Sequence, residues 1–169
     1  MTGKQIGMLA AGGSAILLLA AFVFQALGYA PCAMCIWQRY PHGVAIAAGV
    51  LLAVGMSPVG LMVIGAAAAA TTSAIGVFHT GVERDWWQGP TSCTGSGLDL
   101  SNLSGSDLLP SASSGPSNLV MCDEVAWEFL TLSMASWNAL WSAALVGLWL
   151  LAFAREWQHR QAQSTYSAT

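Results

Sequence analysis

The sequence predicts an all-α fold, a four-helix transmembrane bundle whose two outward-facing loops carry all four cysteines. Three observations lead there. The chain is 55% hydrophobic and only 8% charged, whereas an ordinary soluble domain carries roughly 25% charged residues. Four apolar stretches of about 20 residues each hold a single charge between them, Arg39, and about 20 helical residues cross a bilayer core of roughly 30 Å. Cys32, Cys35, Cys93 and Cys122 all fall between those stretches. The 169 residues suit one membrane domain without a large separate unit. A net charge of −3 gives no basis for nucleic-acid binding.

The first span is expected over 6–27, without charge. It is longer than the roughly 7–15 apolar residues of a signal peptide, which points to a retained helix. A short loop over 28–35 carries Cys32 and Cys35, and the second span follows over 36–56. Ser57-Pro58 is a minimal connection to the third span, 59–78. A long loop over 79–134 carries Cys93 and Cys122 and leads to the fourth span, 135–153. Backbone groups in lipid must satisfy one another, so all four stretches read as helices.

Lys4 precedes the first span, and Arg155 and Arg160 follow the fourth. Positive residues mark the cytoplasmic side, so both termini are placed there and both cysteine loops face outward. In a bacterium that is the oxidising periplasmic side of the inner membrane. Trp37, Trp86, Trp87 and Trp127 fall near the outer ends of spans and Trp149 and Trp157 near the inner ends, as an aromatic belt does. One of the outer tryptophans is a candidate to line a ligand site. Within the long loop, 94–121 is rich in Gly, Ser and Pro, a composition that resists regular structure. Leu98, Leu100, Leu103, Leu108 and Leu109 are candidates for a short piece lying on the membrane surface inside it.

The cysteines carry the chemistry. Cys32 and Cys35 form Cys-Ala-Met-Cys at the start of the second helix. That spacing brings two sulfurs within bonding reach, and a helix N-terminus stabilises a thiolate. Cys35 is expected to have the lowered pKa. A wide Cys93–Cys122 bridge would sit in a long exposed loop, and exposed bridges are the exchange-prone class. Two dithiols on one side of a membrane point to a relay of electrons between disulfides; two static bridges stapling the loops are the alternative. Zinc is disfavoured because the second pair lacks close ligand spacing, and no metal is expected. Arg39 lies four residues after Cys35 on the same helical face. An arginine there needs a partner: a thiolate, a carbonyl of a lipid-borne ligand, or headgroup phosphates reached by snorkelling. His79 stands on the same side and is a candidate donor to a shared ligand. His42 reads as an interfacial polar residue.

Cys-Ala-Met-Cys-Ile-Trp-Gln-Arg at 32–39 resembles the Cys-x-x-Cys-x-x-x-Arg signature of the DsbB family of disulfide-bond formation proteins. The stretch Cys122-Asp-Glu-Val-Ala-Trp-Glu-Phe-Leu is similar to that family's passage from its last cysteine into the fourth helix. The resemblance covers nearly the whole chain and implies a quinone-dependent thiol oxidase. Such an enzyme reoxidises a periplasmic thioredoxin-fold, DsbA-like dithiol oxidase and passes the electrons to ubiquinone or menaquinone in the lipid. It also implies roles. Cys93 would form a mixed disulfide with the partner, Cys122 would attack Cys32, and Cys35 would face the quinone. Arg39 and His79 would contact that quinone. Gln38 departs from the family pattern, which commonly has an acidic residue there, and the Gly/Ser-rich loop departs as well. A vitamin K epoxide reductase-like enzyme is the other quinone–dithiol reading; its Cys-x-x-Cys lies toward the end of the bundle, whereas Cys32 and Cys35 follow the first span.

Overall fold

The structure is a computed structural model, and it describes residues 1–90 and 121–167. Cys93 and the leucine-bearing stretch 98–109 lie outside the described residues. Four helices make the body: α1 (Gly3–Ala26), α2 (Ala33–Ala53), α3 (Pro58–Glu83) and α4 (Met134–Ser167). Each packs on its neighbour in sequence, and α4 closes onto α1. A two-residue hairpin, β1 (Glu128–Phe129) and β2 (Leu132–Ser133), leads into α4.

Local chemistry sets the helix starts. Thr2 caps α1 in a capping box with Gln5. The Cys32 sulfur caps α2 by accepting the Cys35 N–H. Pro58, which has no N–H to lose, opens α3. Two C-terminal ends run well past the predicted spans. Helix α3 continues to Glu83, so His79 belongs to its last turns. Helix α4 continues to Ser167 through the polar segment after Phe153.

Burial is arranged as lipid requires. The inward stripe of α1 is Gly3, Ile6, Gly7, Ala10, Ala11 and Ser14, while Leu9, Ile16, Leu19 and Phe22 are exposed. Helix α3 repeats the pattern with Gly65, Ala68, Ala69, Thr72 and Gly76 inside. Small residues let backbones approach closely where the lipid-facing side chains gain nothing from leaving hydrocarbon. At Gly65 the close approach is to an aromatic ring of another helix. A Cβ there would lie 2.5 Å from the Trp149 indole.

Two sequence expectations change. Trp149, expected in the belt, is fully buried; the Gly65 gap admits its ring to the core between helices. Trp157 remains half exposed. Three helices, α1, α3 and α4, are long and apolar enough to cross a membrane. Helix α2 falls short on composition because Gln38, Arg39, Tyr40, Pro41 and His42 interrupt it. Of these, Gln38 and His42 point inward and are buried.

Candidate active site

Cys32 and Cys35 sit at the N-terminus of α2, ahead of the apolar stretch that begins at Ile36. Their sulfurs are 3.0 Å apart, beyond the roughly 2.05 Å of a disulfide, and both are free. Three donors converge on Cys32. The Cys35 thiol faces its sulfur, the Cys35 backbone N–H donates at 3.3 Å, and His79 Nε2 lies 3.5 Å away.

This convergence corrects the expectation for Cys35. The hydrogen bond from the Cys35 thiol is the largest influence on Cys32; burial opposes it, and His79 and the Cys35 N–H add to it. Together they bring the Cys32 thiol down to about 4. The Cys35 thiol is pushed up, first because it donates to Cys32 and then because it is buried. The physical reason is position: Cys32 is the cap residue and receives the helix's free N–H, while Cys35 is one of the donors.

His79, on the last turns of α3, is 2% exposed. Its Nε2 also lies 3.9 Å from Glu83 Oε1. Glu83 is held from the other side by the Ser133 hydroxyl, which ties β2 to the end of α3. Arg84 Nη2 donates to the Thr131 carbonyl at 2.6 Å, and Trp137 Nε1 donates to the Phe129 carbonyl at 3.1 Å, so the hairpin is pinned from both sides. The chain just before it carries Cys122, which is fully buried and disulfide-bonded. Cys32 Sγ, a His79 ring nitrogen and Cys122 Sγ all lie within 4.8 Å of one another. One sulfur from each of two separate loops is therefore brought beside the same histidine.

Beneath the sulfurs lies a cavity of about 430 Å3, within the roughly 300–1,000 Å3 range of ligand sites. Cys32, Cys35, Arg39 and His79 all line it. Its apolar walls include Phe24, Trp127 and Trp141, with the Phe24 and Trp127 rings 5.1 Å apart. Arg39 Nη1 donates to Gln25 Oε1 at 2.7 Å and its guanidinium lies 4.9 Å over the Phe22 ring. Its Nε is buried without a hydrogen-bond partner. A donor left over beside an apolar cavity fits a ligand that brings an oxygen acceptor.

Sequence reasoning missed the polar layer behind His79. Gln38, His42, Thr72, Asn138 and Ser142 form one hydrogen-bonded cluster between α2, α3 and α4. His42, expected at the interface, is 4% exposed and contacts Asn138 Oδ1 through Nε2 at 2.9 Å. Expulsion of polar groups from lipid drives it inward. A signal was available: Gln38/His42 and Asn138/Ser142 are both i, i+4 polar pairs inside apolar helices.

No curated protein and no solved structure matches the chain. The family model of disulfide bond formation protein DsbB matches residues 3–152. That match spans α1, α2 and α3, the part of α4 up to Ala152, and the cysteines at Cys32, Cys35, Cys93 and Cys122. The chain belongs to the DsbB family, membrane thiol oxidoreductases of disulfide formation.

Proposed function

We propose that the chain reoxidises a periplasmic thioredoxin-fold dithiol oxidase and delivers the electrons to a membrane quinone. The reading places four spans in a bacterial inner membrane, with the termini cytoplasmic and both cysteine loops periplasmic. The observation that carries it is the approach of Cys122 Sγ to the Cys32 sulfur beside His79, within 4.8 Å.

The exchange steps balance in sulfur and electrons. A thiolate of the reduced partner attacks Cys93 of a Cys93–Cys122 disulfide, and Cys122 leaves as a thiolate. Cys122 attacks Cys32 of a Cys32–Cys35 disulfide, and Cys35 leaves. The partner's second thiolate resolves its bond to Cys93 and departs oxidised. Cys93 then attacks Cys122, restores the wide bridge and releases Cys32. The product would be a Cys32–Cys35 dithiol with its sulfurs about 3.0 Å apart, the proton on Cys35 and the charge on Cys32. A quinone held in the cavity would supply the acceptor for the two electrons released as Cys32 and Cys35 close, with one proton coming from the Cys35 thiol and the second from water. Arg39 would hold it through the unpartnered Nε, with His79 beside the sulfurs. Trp127 and Phe24 would exclude water from the cavity.

Purified protein with a reduced thioredoxin-fold dithiol oxidase and a soluble quinone tests the reading. Each single Cys→Ser change at 32, 35, 93 and 122 should abolish turnover. Full activity of Cys93→Ser would overturn the relay. A scaffold with stapling bridges predicts instead that a mild soluble dithiol leaves the wide bridge intact.

A further inference from the structure

The polar cluster behind His79 has a direction, and the direction can be read from one backbone atom. Gln38 Nε2 lies 3.2 Å from the Met34 carbonyl oxygen, which can only accept. The Gln38 amide is therefore oriented with its NH2 toward Met34 and its Oε1 away. Oε1 accepts from Asn138 Nδ2 at 2.6 Å. Asn138 is thus oriented too: Nδ2 donates also to Thr72 Oγ1 at 3.2 Å, and Oδ1 is left to accept from His42 Nε2 at 2.9 Å and from the Ser142 hydroxyl. Thr72 passes its own hydroxyl proton to the Gln38 backbone carbonyl at 3.1 Å. Every amide in the cluster has one orientation that satisfies its neighbours.

The second N–H of Gln38 Nε2 points at His79 Nδ1, 3.0 Å away. A donor there requires a lone pair on Nδ1. The imidazole proton must then sit on Nε2, which faces the Cys32 sulfur at 3.5 Å and a Glu83 oxygen at 3.9 Å, both acceptors. We infer that Gln38, clamped by Asn138, is a positioning residue that holds His79 as the neutral tautomer with its proton on Nε2 and aimed at Cys32. Which nitrogen carries the proton is set by the hydrogen bond the other one makes. A second proton on Nδ1 would meet the Gln38 N–H head on. Turning the amide to relieve that contact would set Oε1 against the Met34 carbonyl and Nε2 against Asn138 Nδ2, two like pairs in place of one. The titratable groups around the ring are Cys32 and Glu83, with Cys35 behind Cys32; Cys122 is disulfide-bonded, and its backbone also hydrogen-bonds the ring. Burial disfavours a charged ring, while Cys32, Glu83 and the Cys122 backbone draw a proton to it and raise its pKa; the Gln38 N–H at Nδ1 is what opposes the second proton. His79 accordingly supports the Cys32 thiolate as a neutral N–H donor.

The inference rests on the proposed function only in giving Cys32 work to do; the tautomer itself needs no partner and no acceptor to be measured. The test uses the full chain labelled with 15N-histidine, reduced at Cys32 and Cys35, in detergent at neutral pH. His79 resonances are assigned by their loss in His79→Gln. The expected pattern is a protonated Nε2 and a bare Nδ1. Gln38→Leu should lose that single pattern and give a mixture of tautomers, and the Cys32 titration midpoint should rise with it. Gln38→Glu replaces the donor by an acceptor and should give a doubly protonated ring. A wild-type ring protonated on Nδ1, or on both nitrogens, overturns the inference, and so does a Gln38→Leu spectrum identical to wild type. If Gln38→Leu does not fold, the wild-type pattern and Gln38→Glu decide. An inactive relay with the expected tautomer would count against the proposed function alone.

Discussion

His79→Leu should make the Cys32 thiolate harder to form, by an amount the geometry sets. Cys32 is 4% exposed, so solvent does little to screen its donors. Two donors come from Cys35 and one from His79. A hydrogen bond to a charged group contributes about 1.5–3 kcal/mol. The His79 contact is long at 3.5 Å, which places it at the low end, about 1.5 kcal/mol, or about one pKa unit. Deprotonation of Cys32, set at about 4 in the native protein, should rise by about one unit in His79→Leu. The assay is thiolate ultraviolet absorbance against pH in reduced Cys93→Ser/Cys122→Ser protein, where Cys32 and Cys35 are the only thiols. Since the Cys32 value is lowered, one thiolate per chain should already be present above about pH 5 and disappear only as pH falls through about 4. Cys35 should remain a thiol well above the ordinary range. Two thiols titrating together near the usual value of about 8.5, or no shift in His79→Leu, would refute the convergence of donors on Cys32.

Three further outcomes follow from the same geometry. Arg39→Ala should raise the apparent quinone KM about tenfold, the loss of one charged hydrogen bond of about 1.4 kcal/mol, and steady-state kinetics in detergent checks it; an unchanged KM would assign Arg39 to headgroup contact. Gly65→Leu should destabilise the bundle by about 1–3 kcal/mol or more through overpacking, because a Cβ alone would already lie 2.5 Å from Trp149; thermal unfolding of the purified protein reads it, while Gly60→Leu, where a Cβ meets nothing within 4 Å, should be near neutral. Trp127→Ala opens an apolar wall of the cavity and should weaken quinone binding while leaving the Cys32 titration where it is.

Much of the site was legible because covalent spacing and hydropathy act locally. Cys-Ala-Met-Cys at the start of an apolar stretch placed both sulfurs at a helix terminus, and Arg39 one turn on placed its side chain near the same cavity. Four helices were legible from length and apolar content, although α2 carries enough polar residues at 38–42 to fall below the composition of a span. What hydropathy does not report is which faces meet. Gln38, His42, Thr72, Asn138 and Ser142 look in sequence like scattered polar residues; only the packing of α2, α3 and α4 makes them one cluster. Trp149 was misplaced for the same reason, since its burial depends on a glycine far off in sequence on α3. Sequence also reversed the two thiols. Which cysteine is the cap depends on a one-residue question of where α2 begins, and Cys32 rather than Cys35 turned out to occupy that position. The β1–β2 hairpin gave no pattern to read: Leu130 and Thr131 take positive φ without a glycine between the strands.

Transfer of a disulfide from the wide cysteine pair to the tight one requires Cys122 to reach Cys32, and a chain stripped to those two thiols asks for nothing else. In Cys35→Ser/Cys93→Ser protein under mild oxidation, followed by alkylation and peptide mapping, the account predicts an intramolecular Cys32–Cys122 linkage forming ahead of any dimer. Recovery of both cysteines alkylated, or linked only between chains, would contradict it.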